Sequence, residues 1–317
     1  MNRRGNLLRR SAIAGTLLGL SLPTVSAAQA WTGDRGSTSF FLSYGNNWST
    51  KHYTFDGVET DGGHVRSQVA TFGISYVLTD RLTLTASLPV VQAKYMGSRP
   101  HPGSNVDNGD YHTGLQDVRF ELRYQVSENP LAFTPFLASG WPTTDYVTLG
   151  HSARGRGLDQ YVAGFYVGSS LDEWIPDTYA QMRYGYAYVE SVAGIHPNHS
   201  NLDAEVGHFL TPVLGLRVLA SWQETHGGVD TVGKMKGTDS LFPHHDQVGD
   251  ESYINVGLGF SYSITHKVDV SAIYARSLRG RNGHKLDDGL GLGVSFSCHC
   301  AFRQVGERIY PISPRNR

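Results

Sequence analysis

Val118-Arg119-Phe120-Glu121-Leu122-Arg123-Tyr124-Gln125-Val126 sets an apolar side chain at every second position and an ionic or amide side chain between. A helix would mix these two sets around its circumference. A sustained period of two instead describes a β-strand with one greasy face and one charged face. The same alternation recurs along the chain. It runs over Ala70 to Leu78, Leu82 to Leu88, Tyr161 to Val167, Met182 to Tyr188, Leu202 to Val206, Leu214 to Trp222, Ile254 to Ile264, Val268 to Tyr274 and Leu290 to Phe296. With Thr38 to Thr50 and the less regular Leu131 to Trp141, these make twelve candidate strands.

The connectors alternate in length. Thr79 to Arg81, Ser127 to Pro130, Asp172 to Asp177, Thr211-Pro212 and Thr265-His266 are short. Lys51 to Val65, Met96 to Thr113, Thr144 to Leu158, Glu190 to Ser200, Thr225 to Asp250 and Ser277 to Asp287 are long. Tight turns on one side and long loops on the other, with both termini on the short-turn side, are the layout of a transmembrane antiparallel up-and-down β-barrel of the bacterial cell outer membrane. Strands of about ten residues suffice to cross when tilted. In lipid every backbone polar group must be paired, so such a sheet has to close. A soluble β-sandwich also alternates, but it gives no reason for long and short connectors to segregate. Nor does it explain why Tyr76, Tyr124, Tyr188, Trp222, Tyr262 and Tyr274 gather towards strand ends, as interfacial girdles do.

The first residues stand apart from this pattern. Arg3, Arg4, Arg9 and Arg10 precede an apolar run from Ala12 to Val25, and Ala28-Gln29-Ala30 supplies small residues for cleavage. Residues 1–30 therefore read as a secretory signal peptide, residues 31–300 as the barrel, and residues 301–317 as a polar periplasmic tail. Neither arginine pair sits in a full twin-arginine motif, which favours ordinary export. Only Trp31 to Ser37 precede the first strand, leaving no room for an N-terminal plug domain.

The chain has 317 residues, 39% hydrophobic and 17% charged, and a net charge of −1. That balance excludes wholesale disorder and a nucleic-acid partner bound through phosphate neutralisation. Nucleophile-elbow, zincin, P-loop and dinucleotide motifs are all missing, so no enzyme is expected.

If the apolar set meets lipid, the alternate set lines the lumen. Asp117, Arg119, Glu121 and Arg123 come from one strand, joined by Arg183, Asp203, Glu205, Arg217 and Asp269. Charges of both signs in a narrow barrel pair with one another. Twelve strands lie between the filled eight-stranded barrel and the open sixteen-stranded one. A constricted, solute-selective pore is the functional expectation; a wall merely stiffened by ion pairs is the structural one.

Eleven of the 14 His fall in the long connectors. His196 and His199, and His244 and His245, are spaced as candidate ligands for zinc or copper, which imidazole suits, although neither spacing is a recognised closed site. Cys298-His299-Cys300 reads as an exposed strained bridge or rim cysteines, with a metal-ligand set as the lesser alternative. No cofactor is expected.

Gly114-Leu115-Gln116-Asp117-Val118-Arg119-Phe120-Glu121-Leu122-Arg123-Tyr124 is followed by Pro135-Phe136 and by Trp141-Pro142-Thr143-Thr144-Asp145-Tyr146, with a Gly-rich return over Gly155 to Gly168. Over about Val69 to Tyr188 this resembles the outer-membrane transporter-like family labelled MetA-pathway of phenol degradation. The resemblance implies a barrel channel passing small, sometimes aromatic, molecules, and brings no catalytic residue. The expected function is passive uptake of such solutes. The expected partners are the lipid bilayer, a small-molecule solute and the barrel assembly machinery. The alternative is a non-transporting surface barrel displaying His-rich loops for adhesion, metal capture or partner binding.

Overall fold

The computed structural model describes residues 30–97 and 105–299, with the backbone alone at His299. The leader expected over 1–30, apart from Ala30, and the tail expected over 301–317 lie outside the described residues, as do His101 and Cys300. Cys298 is disulfide-bonded.

Twelve strands form the wall: β1 (Ser37–Ser49), β2 (His64–Val77), β3 (Leu82–Met96), β4 (His112–Leu115 continued by Asp117–Tyr124), β5 (Ala132–Pro142), β6 (Gln160–Ser170), β7 (Thr178–Val189), β8 (Asn198–Thr211), β9 (Leu214–His226), β10 (Ser252–Thr265), β11 (Val268–Arg281) and β12 (Asp288–His299). Each pairs antiparallel with its neighbours in sequence, and β1 closes on β12 from Ser37 opposite His299 to Trp48 opposite Asp288. The sheet thus has no free edge, as a hydrocarbon environment demands. No helix among the described residues is long and apolar enough to cross a membrane.

The alternation sorts as its chemistry requires. Leu137, Val218 and Leu258 point outward with 64%, 59% and 65% of their surface exposed, while Arg123, Arg183 and Arg217 face inward and are buried. Most strands run past the length needed to cross. β3 reaches 15 residues and β2, β8, β10 and β11 reach 14. Four histidines expected in loops, His64, His112, His199 and His226, consequently sit at strand ends. The register slips in the β8–β9 and β10–β11 pairings, and a further irregularity lies between β3 and β4. Between the pairs Ser87–Arg119 and Val90–Leu115, three residues of β4 face two of β3. Pro89 lies there with no N–H to give, and its carbonyl accepts from the Gln116 N–H at 3.0 Å. A bulge absorbs the mismatch.

On the long-loop side the connectors are knitted into a cap. His52–Tyr53 pairs with both Glu59–Thr60 and Gly283–His284 in a small three-stranded sheet that joins the first and last loops. The loop between β9 and β10 turns through a short helix, α1 (His245–Val248). It is tied to the β5–β6 loop by Gln247 donating to the Arg156 carbonyl at 2.8 Å and by the Arg156–Glu251 pair at 3.2 Å.

Candidate functional site

Strand alternation brings all nine expected lumen residues to the inner side of the wall, in three settings. Asp117 stands beside the bulge in the outer half of β4, where Tyr146 of the β5–β6 loop donates to its carboxylate at 2.6 Å. Asp269 stands at the short-turn end of the wall, accepting from Ser263 at 2.5 Å. Between them lie two buried ionic groups.

The first group centres on Glu121. The Tyr166 hydroxyl lies 3.1 Å from both carboxylate oxygens, donating to the carboxylate and accepting from Arg183 Nε at 3.1 Å. Arg123 and Arg183 sit 3.5 and 3.6 Å from the same carboxylate. The Arg183 guanidinium lies 4.3 Å from the centre of the Phe136 ring, a cation–π contact. Asp203 is the cross-strand partner of Arg183, and Arg119 follows on the inner face of β4. In the second group Arg217 pairs with Glu205 at 3.5 Å. Tyr179 donates to the same carboxylate, and Gln181 reaches it at 3.4 Å. The cross-strand neighbours of Arg217 are Gly207 and Gly259, which leave the wall low beside it. A Cβ at Gly207 would meet the Tyr179 ring at 2.3 Å.

Residues 30–32 pack against the inner wall at this level. Ala30 and Trp31 are buried in one cluster with Phe136, Val162, Tyr166 and Leu158. Thr134 donates to the Ala30 carbonyl at 2.7 Å, and Thr32 N–H donates to Gln125 at 3.2 Å. The indole packs on Gly168, where a Cβ would stand 2.5 Å from its ring. Arg217 and Glu205 keep only 2% and 4% of their side-chain surface. That ion pair is shielded from solvent by its neighbours. Sequence reading did not place Trp31 inside the barrel, and nothing in the composition of Trp31 to Ser37 signals it.

A second constellation lies at the outer mouth. His52, His151 and His284 form one group, and His151, His245 and Asp246 another, with candidate ligand atoms inside each group within 4.8 Å of one another. These residues come from four different long loops. They line a cavity of about 200 Å³ together with Asn47, Ser67 and Val91 of the inner wall. Burial lowers the His52 pKa to about 4, helped by the nearby His151. Burial together with His52 and His151 holds His284 well below the usual imidazole range. Burial also works against the His151 cation, but the Asp246 charge outweighs it and raises that pKa. The Asp246 carboxyl is held far below the usual carboxylate range: its own burial opposes this, and His151 at 3.3 Å overcomes it.

Of the four histidines singled out as ligands, His245 alone falls in this cluster. His244 bonds to Gln247 at 2.8 Å. His196 faces the Val189 carbonyl at 3.2 Å, and His199 contacts Gln160 at 3.1 Å and the Pro197 carbonyl at 3.2 Å. Sequence spacing missed His52, His151 and His284 because loop-to-loop convergence, not local period, brings them together.

No family model matches the sequence, and no curated protein matches it. Solved structures do share its fold. An outer membrane channel from Pseudomonas putida superposes with a TM-score of 0.66 at 15% identity, covering 86% of this chain and 100% of that one. The β domain of the Bordetella autotransporter BrkA gives 0.50 at 11% identity, covering 83% and 99%. The chain has the fold of a bacterial outer-membrane β-barrel.

Proposed function

We propose that this barrel is a channel for passive uptake of small solutes, aromatic ones among them. The observation that carries the reading is the seat of Trp31. An indole lodges in the lumen among Phe136, Tyr166 and Val162, beside the Arg183–Glu121 pair. A bore that accommodates one aromatic ring on an apolar strip, with cations and carboxylates alongside, suits small aromatic solutes carrying a polar group. The channel identity of the Pseudomonas putida protein and the motif resemblance over Val69 to Tyr188 support the same reading. On this reading the entering segment is a stopper that must move or thin for solute to pass.

Planar-bilayer recording on the purified protein tests this. Wild type is expected to conduct in small, infrequent steps, and Trp31→Ala to raise mean conductance several-fold. Liposomes carrying the variant should take up benzoate-like solutes faster than sugars of similar size. If neither protein conducts nor passes solute while both remain folded, the barrel is a scaffold for its outer loops and the channel reading fails.

A further inference from the structure

The histidines at the outer mouth have no part in the channel reading, and their arrangement is unusual for simple packing. The His52 and His284 ring centres are 4.0 Å apart, and His151 stands 5.2 Å from His52, His245 and His284 alike. His52 is 4% exposed, and neither of its ring nitrogens has a hydrogen-bond partner. A buried polar group left in that state is costly, and phenylalanine or leucine would fill the same space without that cost. We infer that the site binds one divalent transition-metal ion of the zinc class through His52, His151 and His284, with Asp246 and His245 completing its surroundings.

The chemistry of the donors supports this. Three neutral imidazoles and a carboxylate are a donor set for zinc, nickel or copper, not for calcium or magnesium, which take oxygen. Zinc–nitrogen bonds of about 2.0–2.1 Å set ligand atoms roughly 3.3 Å apart in a tetrahedron. The mutual distances within 4.8 Å need only small side-chain rotations to reach that. Asp246, 3.3 Å from His151 and 3.4 Å from His245, is placed either to ligate or to orient the rings, as carboxylates behind metal-bound histidines do. The backbone holds the site in place from several sides. His52 and His284 are cross-strand partners in the small rim sheet, and the His151 N–H donates to the Asp107 carboxylate at 3.1 Å. The ion would therefore cross-link four loops above the cavity. This inference stands whether or not the lumen conducts.

The test uses the full-length protein folded in detergent, stripped with chelator, incubated with Zn²⁺ and desalted. Metal analysis should find one zinc per chain in wild type and in the control His196→Ala. Competition against a chromophoric chelator should show binding weakened at least about 100-fold in a His52→Ala, His284→Ala double variant and by about 10- to 100-fold in Asp246→Asn. Heat-modifiable mobility in gels reports whether each variant is folded. A second measurement needs no variant: Zn²⁺ should shield His52 and His284 of the wild type from diethylpyrocarbonate, read by peptide mass. Background zinc in folded wild type, unchanged affinity in the folded double variant, or shielding confined to His196 and His199 would each overturn the inference.

Discussion

Glu205 illustrates how one carboxylate organises its surroundings. It accepts from Tyr179 and Gln181 and faces Arg217 at 3.5 Å, almost wholly out of water. Removing one member of a buried ion pair strands the other, at about 3–5 kcal/mol, whereas replacing both by apolar residues of like volume is often neutral. Glu205→Gln should therefore lower stability in lipid vesicles by about 3 kcal/mol, and Glu205→Leu combined with Arg217→Met by much less. Denaturant unfolding followed by tryptophan fluorescence measures both; equal losses would show that Arg217 is stabilised by partners other than Glu205. Which residues face inward was legible from alternation alone. Which inward residues touch was not, because Glu121 of β4 meets Tyr166 and Arg183 of β6 and β7 past an intervening strand, and a period of two carries no information about such contacts.

Among the elements, strands and loops differ in how they hold their shape. Backbone ladders fix the strands, and side-chain links fix much of the rim. Glu59 accepts from Lys285 at 2.7 Å and Lys51 at 2.8 Å, joining the first and last loops. Those bonds lower its pKa to about 2. Because the folded-state value is depressed, the link is fully present above the ordinary carboxylate pKa of about 4.3 and is lost as pH falls through the lowered value. Amide exchange in Lys51 to Thr60 should be flat from neutral pH to about 4.5 and faster below it, once corrected for intrinsic rate. Glu59→Gln should exchange fast throughout; a variant as protected as wild type would show that the rim sheet needs no such link. The twelve strands were readable because each carries its own period. The two-residue strands at His52 and Gly283 were not, since each is too short to show a pattern and exists only through its distant partner.

For the molecule as a whole, the apolar exterior is what commits it to a bilayer. Leu258 lies near the middle of β10 and is 65% exposed. Leu258→Arg should cost about 2–4 kcal/mol at the bilayer midplane, whereas Ser252→Arg, at the strand end, should cost much less. Unfolding in vesicles compares the two, and similar costs would place the hydrocarbon band elsewhere on the wall. Closure itself was inferable from connector lengths and the ban on open edges in lipid. The place of Trp31 inside the barrel was not, because the segment that holds it carries no repeat, charge run or motif.

The miniature sheet at the rim bears on how such a cylinder is completed. The chain's first and last hairpins must meet to finish the wall, and the β1–β12 pairing is that join. By zipping Gly283–His284 onto His52–Tyr53 directly above it, the protein fastens the join at its outer lip. A circular permutant that joined the old ends and opened the β6–β7 turn would make β12 and β1 one continuous hairpin, so the closing seam would lie far from this small sheet.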